Sequence, residues 1–221
     1  MKYQELENYL FKISDKKFAD FSQSLSNSNY ICIGVKNPVL RSIIKEHLKD
    51  EELSLNDFEL GKYLEVDFIY FGLGVCRCKN IDEQLEFISN NIQKAKSWAI
   101  TDCLSTYIKK MTFEKYWDFF MKAYNSPYTY KRRMAFVLGL KLYKDERILS
   151  ILNYINKNEE YMVMMAEAWL LATIAISYEE DIYHFLVKCD DKTLKRKTIS
   201  KIAESFRFNE ISKNKFKSLR N

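Results

Sequence analysis

The sequence predicts an all-α protein, a HEAT-like stack of antiparallel helix pairs forming one domain over residues 1–221. Three observations predict it. Apolar residues recur at spacings of three and four almost throughout, the period of a helix with one buried face. Only five Gly and two Pro occur, too few for the many turns of an all-β fold. The polar breaks are short, and none is long enough to separate domains. No residue-level repeat is visible, so the pattern alone also admits a globular helical bundle.

The elements follow in chain order. Tyr3, Leu6, Tyr9, Leu10 and Ile13 set the first stripe, and Phe18, Phe21 and Leu25 the second, after Ser14-Asp15 as a plausible N-cap. Pro38 stands where a first helical turn begins, with Val39, Ile43 and Ile44 as the buried stripe. Leu85, Ile88 and Ile92 mark a further helix, then Phe113, Tyr116, Trp117, Phe120 and Tyr124. Ile148, Leu149, Ile151, Leu152 and Ile155 mark another, followed by a Met- and Ala-rich helix near residues 162–176. Breaks are expected at about 26–29, 79–82, 125–128, 156–159 and 188–191, which gives roughly a dozen helices.

Several function classes are disfavoured. No stretch reads as a phosphate-binding or dinucleotide-binding glycine loop. Residues 1–7 are acidic and amphipathic, unlike a secretory signal, and the most apolar stretch (161–176) is short and carries Glu167. No membrane association is therefore expected. Five cysteines (Cys32, Cys76, Cys78, Cys103, Cys189) form no disulfide framework and suggest reduced thiols and a cytoplasmic home. With only His47 and His184, and Cys76-x-Cys78 too tight for a zinc knuckle, no metal and no cofactor are expected. The same scarcity of His disfavours iron-dependent oxidative dealkylation.

Charge is unevenly spread. The net charge is +5, yet residues 184–221 hold eleven Lys/Arg against four Asp/Glu, while the preceding 183 residues hold 24 against 26. A basic C-terminal sixth attracts a polyanion, although a solvated tail that keeps the protein soluble would look the same.

Three constellations stand out. In Lys94-Ala95-Lys96-Ser97-Trp98-Ala99-Ile100-Thr101-Asp102-Cys103-Leu104, helical spacing puts Trp98 and Asp102 on one stripe, apart from Ile100, Leu104 and Ile108. An indole beside a carboxylate on a polar face suits ligand contact, and a Trp packed on an adjacent helix suits it too. Tyr128-Thr129-Tyr130-Lys131-Arg132-Arg133-Met134-Ala135 places three cations at a helix start, where the macrodipole favours an anion; ordinary surface helices also show this pattern. Ala166-Glu167-Ala168-Trp169-Leu170-Leu171-Ala172 is apolar nearly all round, which by default makes Trp169 a core residue.

Taken in order, these segments resemble the DNA alkylation repair (AlkD-like) glycosylase family. Ile33-Gly34-Val35-Lys36-Asn37-Pro38-Val39-Leu40-Arg41 is similar to its N-terminal signature. The Trp98-x-x-x-Asp102 helix, the Tyr130–Ala135 helix start and the Ala168-Trp169 helix follow at similar spacing, and Lys197-x-Ile199-x-Lys201-Ile202-x-Glu204-Ser205 also matches. The resemblance covers about residues 3–220. It implies a C-shaped array of HEAT-like pairs whose concave face holds duplex DNA. It also implies excision of N3- and N7-alkylated purines without extruding the base, unlike most glycosylases. Trp98, Asp102 and Trp169 would then line the cleft as catalytic residues. Arg133, with Arg132, Lys131, Lys197 and Lys201, would hold the DNA backbone, and a monomer would suffice.

The residue types fit that chemistry. A cationic alkylpurine already leaves readily, so a carboxylate that stabilises the developing sugar cation suffices, with indole faces assisting. Two departures matter. Ala172 stands where family members commonly carry a basic residue, with Glu167 nearby, and Leu25 falls near a position that some members fill with an aromatic. These departures keep a non-catalytic DNA-binding protein in play. A HEAT-type protein scaffold is the other alternative, opposed by the basic C-terminus.

Overall fold

A computed structural model of the chain describes residues 1–26, 28–155 and 160–220. Twelve α-helices and short 3-10 segments account for the regular structure among these residues, with no strand beyond one isolated parallel bridge between Ile31 and Tyr63. Helices pack in adjacent pairs, the arrangement of a helical repeat. The expected break at 156–159 lies outside the described residues. Contacts divide the chain into two compact units, residues 1–110 and 111–221.

The first unit holds α1 (Tyr3–Lys12), α2 (Lys16–Ser26), α3 (Asn37–Glu46), α4 (Leu64–Arg77), α5 (Ile81–Asn91) and α6 (Trp98–Tyr107). Its centre is α4, which packs against α3, α5 and α6 and is buried continuously from Glu65 to Val75. A helix apolar all round must sit inside, and α4 does. Asp15 caps α2, its Oδ1 accepting from Phe18 N at 2.9 Å, and Pro38 lies in the first turn of α3. On α2, however, Phe21 and Leu25 are exposed rather than in the core.

The second unit holds α7 (Phe113–Tyr124), α8 (Thr129–Gly139), α9 (Tyr161–Ile174), α10 (Glu179–Lys188), α11 (Lys192–Glu204) and α12 (Glu210–Lys217). Here α7 packs on α8, α8 on α9, α9 on α11 and α11 on α12. Phe120 centres an aromatic core, 5.3 Å from the Trp117 ring, 5.4 Å from Tyr124 and Tyr154, and 5.5 Å from Phe136. The helix expected around Ile148–Ile155 is a 3-10 segment, Glu146–Asn153, with Ile148 and Ile151 buried. A buried pair three apart satisfies either helix type, so spacing alone cannot separate them.

Candidate functional site

The family-like signature is a scaffold. Glu65, on the first turn of α4 and buried, accepts three consecutive backbone N–H groups: Ile33 at 2.9 Å, Gly34 at 2.8 Å and Val35 at 3.3 Å. Gly34 has φ +100, and a Cβ there would lie 2.2 Å from the Asp15 carbonyl oxygen, so only glycine suits the position. The far end of the segment reaches α6, with the Arg41 guanidinium 5.6 Å from the Tyr107 ring centroid.

The start of α6 is held from two sides. Ser97 caps it, Oγ accepting from Ala99 N. Just before it, Lys96 N donates to Tyr30 Oη at 3.2 Å and Lys96 Nζ to the Gly61 carbonyl at 3.1 Å. Tyr30 in turn donates to Asp67 of α4, whose carboxyl also accepts from Gly61 N at 2.9 Å. Burial pushes the Asp67 carboxyl from 3.8 up to about 6, although Tyr30, the Gly61 N–H and Lys96 pull the other way.

That shift carries a pH dependence. The folded value lies above the unfolded one, so the stabilisation from protonated Asp67 is fully present below pH 3.8 and is lost as pH rises through about 6. A shift of this size corresponds to about 3 kcal/mol. Asp67→Asn is therefore expected to gain that amount relative to wild type between pH 4 and pH 7, read from urea midpoints. Parallel pH profiles for the two proteins would rule this out.

Trp98 and Asp102 are both half-buried, one turn apart on α6, while Ile100, Thr101 and Leu104 are buried. The indole N–H of Trp98 donates to the Leu25 carbonyl at 3.2 Å, using one of the acceptors left open at the end of α2. Trp98 thus packs on a neighbouring helix and keeps part of its surface open. With Phe18, Phe21, Leu25 and Phe68 it lines a pocket of about 190 Å³, with Glu65 also in its wall. The Thr101 hydroxyl lies 2.8 Å from the Trp98 carbonyl and 3.1 Å from Asp102 Oδ1, sharing its proton between them and restraining the carboxylate.

In the second unit the two arginines at the start of α8 have structural duties. Arg133 is 5% exposed, and its Nη1 donates to the Met162 carbonyl at 2.5 Å. Arg132 pairs with Glu160, so both arginines tie α8 to the first turn of α9. Lys131 is half-buried beside them. Glu167 is fully buried, and its charge is felt by Tyr124, whose phenol is pushed up mainly by burial and secondarily by this carboxylate. It does not add an exposed negative charge.

Trp169 is half-buried rather than in the core. It lines a pocket of about 450 Å³ with Tyr143, Ala172, Lys201 and Arg207. Lys201 Nζ lies 5.9 Å from the Trp169 ring centroid, and Lys197 Nζ lies 5.8 Å from that of Tyr161, so two of the lysines of α11 reach aromatics of α9. Trp98 and Asp102 thus belong to the first unit, and Trp169, Lys131, Arg132, Arg133, Lys197 and Lys201 to the second. Sequence reasoning missed Tyr30, Asp67, Tyr143 and Arg207. Tyr143 and Arg207 sit in no motif, and the only available signal was their place in an aromatic and basic C-terminal half.

The fold defines a class, the helical-repeat proteins; its first unit carries a half-buried indole beside a restrained carboxylate, and its second carries lysines over aromatic faces. The chain belongs to the DNA alkylation repair enzyme family, whose model matches residues 6–205. Neither the curated proteins nor the solved structures give a match. Family membership supports a role in alkylation repair, with DNA as the partner. No helix among the described residues is long and apolar enough to cross a membrane.

Proposed function

We propose that the protein is a DNA glycosylase that hydrolyses the N-glycosidic bond of cationic N3- and N7-alkylated purines in duplex DNA. The observation supporting this most is the pairing on α6: an indole and a carboxylate one turn apart, both half-buried, the carboxylate restrained by Thr101. As the bond from C1′ to the purine breaks, its electron pair neutralises the charged ring, and positive charge builds on the sugar. Asp102 stabilises that charge and takes the proton of the water that adds to C1′. Trp98 assists through its ring face. Alkylated DNA is the sole ligand required, and a monomer suffices.

The test is release of 3-methyladenine or 7-methylguanine from methylated duplex, quantified by chromatography. Tight binding without release would instead identify a non-catalytic DNA-binding protein.

Backbone contact is assigned to Lys131, Lys197 and Lys201, with Arg132 and Arg133 holding the surface in shape. Each phosphate contact contributes about 0.9 to the slope of log affinity against log salt. Lys197→Ala and Lys201→Ala are each expected to weaken duplex binding and flatten that slope by about one unit. A slope unchanged from wild type would remove that lysine from the interface.

A further inference from the structure

We infer that Asp67 and Tyr30 are positioning residues for the reaction. The ionised Asp67 carboxylate, through Tyr30 and Gly61, fixes Lys96 and with it the start of α6, and protonation of that carboxylate frees Trp98 and slows base release. Asp67 is fully buried and Tyr30 is 1% exposed, so neither is open to water. The carboxylate is an acceptor on both sides. Its Oδ2 receives the Tyr30 hydroxyl, and the Gly61 N–H is shared between Oδ1 at 2.9 Å and Oδ2 at 3.1 Å. Protonation removes the charge that strengthens these bonds and makes the protonated oxygen a poorer acceptor. On Oδ2 it loosens Tyr30, and on Oδ1 it loosens Gly61.

Both routes end at Lys96. Its backbone N–H donates to Tyr30 Oη at 3.2 Å and its Nζ to the Gly61 carbonyl at 3.1 Å. Lys96 precedes Ser97, the N-cap of α6, and stands two residues before Trp98. The indole N–H is held at the Leu25 carbonyl, 3.2 Å away, so a shift of the helix start moves the indole against α2, with Asp102 one turn later. Tyr30 and Lys96 face Asp67 from the segments before α3 and α6, and Tyr70 from α4 itself. Of the other elements packed on α4, α3 directs Arg41 to Cys103 and Tyr107 of α6, and α5 directs Asn91 to the Tyr70 hydroxyl at 2.9 Å. Lys94, just after α5, lies 5.9 Å from the Tyr70 ring centroid. Burial, opposed by Tyr30, the Gly61 N–H and Lys96, brings the Asp67 carboxyl to about 6, so the change falls within a range where DNA stays intact and activity can be assayed. The consequence for rate rests on the glycosylase reading, whereas the hold on Trp98 does not.

The test follows Trp98 emission from about pH 5 to about pH 8 in Trp117→Phe/Trp169→Phe protein, beside single-turnover release of alkylated purine by the otherwise unaltered chain over the same range. One emission transition centred at about 6 is expected. Asp67→Asn should abolish it and give the acid-form emission at every pH, whereas Asp102→Asn should retain it, which separates the two carboxylates. Tyr30→Phe loses the hydroxyl that favours the ionised form, so its midpoint should move upward. At neutral pH, release by Asp67→Asn and by Tyr30→Phe should fall about tenfold with duplex affinity within a few-fold of wild type, as for a catalytic group misplaced rather than removed. Emission that does not change with pH overturns the proposal, as does a transition that survives in Asp67→Asn or equal release by wild type and Asp67→Asn. Base release with no emission transition leaves the glycosylase standing and removes Asp67 from its role. Absence of release from every protein removes the glycosylase, and the emission titration then decides by itself whether Asp67 holds Trp98.

Discussion

Asp102→Asn is expected to reduce single-turnover release of alkylated purines about a thousandfold while leaving duplex affinity within a few-fold of wild type. The magnitude follows from charge. A carboxylate about 4 Å from a unit positive charge at an effective dielectric near 20 contributes about 4 kcal/mol. Realised only as the sugar becomes cationic, that is roughly three orders of magnitude in rate. Asparagine has nearly the same shape and keeps an oxygen for the Thr101 hydroxyl, 3.1 Å away in the native protein, so α6 should not be disturbed. The charge is removed, and with it the group that takes the water's proton. Equal release by both proteins would take Asp102 out of its role, and a matching loss of affinity would make it a binding group instead.

What was legible in the sequence depended on whether a residue's use is local. The α6 stripe could be read because Trp98 and Asp102 are separated by one helical turn, and that relation survives whatever packs around it. The α4 helix could not be picked out by spacing, because a helix buried from Glu65 to Val75 has no polar face to set a period. Its two buried carboxylates, Glu65 and Asp67, therefore passed unnoticed, although one holds the family-like signature and the other the approach to α6. Arg133 shows the converse. Three cations at a helix start read as an anion site, but the acceptor that Arg133 meets is a backbone carbonyl 29 residues later, and no side-chain pattern announces a carbonyl. Glu167 was expected beside a binding surface and is instead fully buried, its charge felt by Tyr124. The face of a helix that points inward depends on its neighbours, and a helix as uniformly apolar as α9 does not declare that face.

Glu65→Ala is expected to destabilise the protein by about 3–5 kcal/mol, because three buried N–H groups lose their acceptor together and each unsatisfied donor costs about 1–3 kcal/mol, with partial relaxation. Glu65→Gln should lie between alanine and wild type for a geometric reason. Oε1 receives both Gly34 N and Val35 N, at 2.8 and 3.3 Å, whereas Oε2 receives only Ile33 N, at 2.9 Å. An amide oriented to keep its oxygen at the first position retains two bonds and turns an N–H against the third donor. The consequence extends to function, since Glu65 and Val35 line the same pocket as Trp98 and Leu25, and the Leu25 carbonyl holds the indole N–H at 3.2 Å. Loosening the 33–35 segment also loosens Gly34, whose carbonyl accepts from Asp15 N at 3.1 Å at the start of α2. The disturbance should therefore travel along α2 to Trp98. Urea denaturation gives the stability order wild type, glutamine, alanine, and Trp98 fluorescence in Trp117→Phe/Trp169→Phe protein should shift in the same order below the unfolding transition. An alanine variant as stable as wild type would mean that these three N–H groups find other acceptors, and that the signature is not held by Glu65.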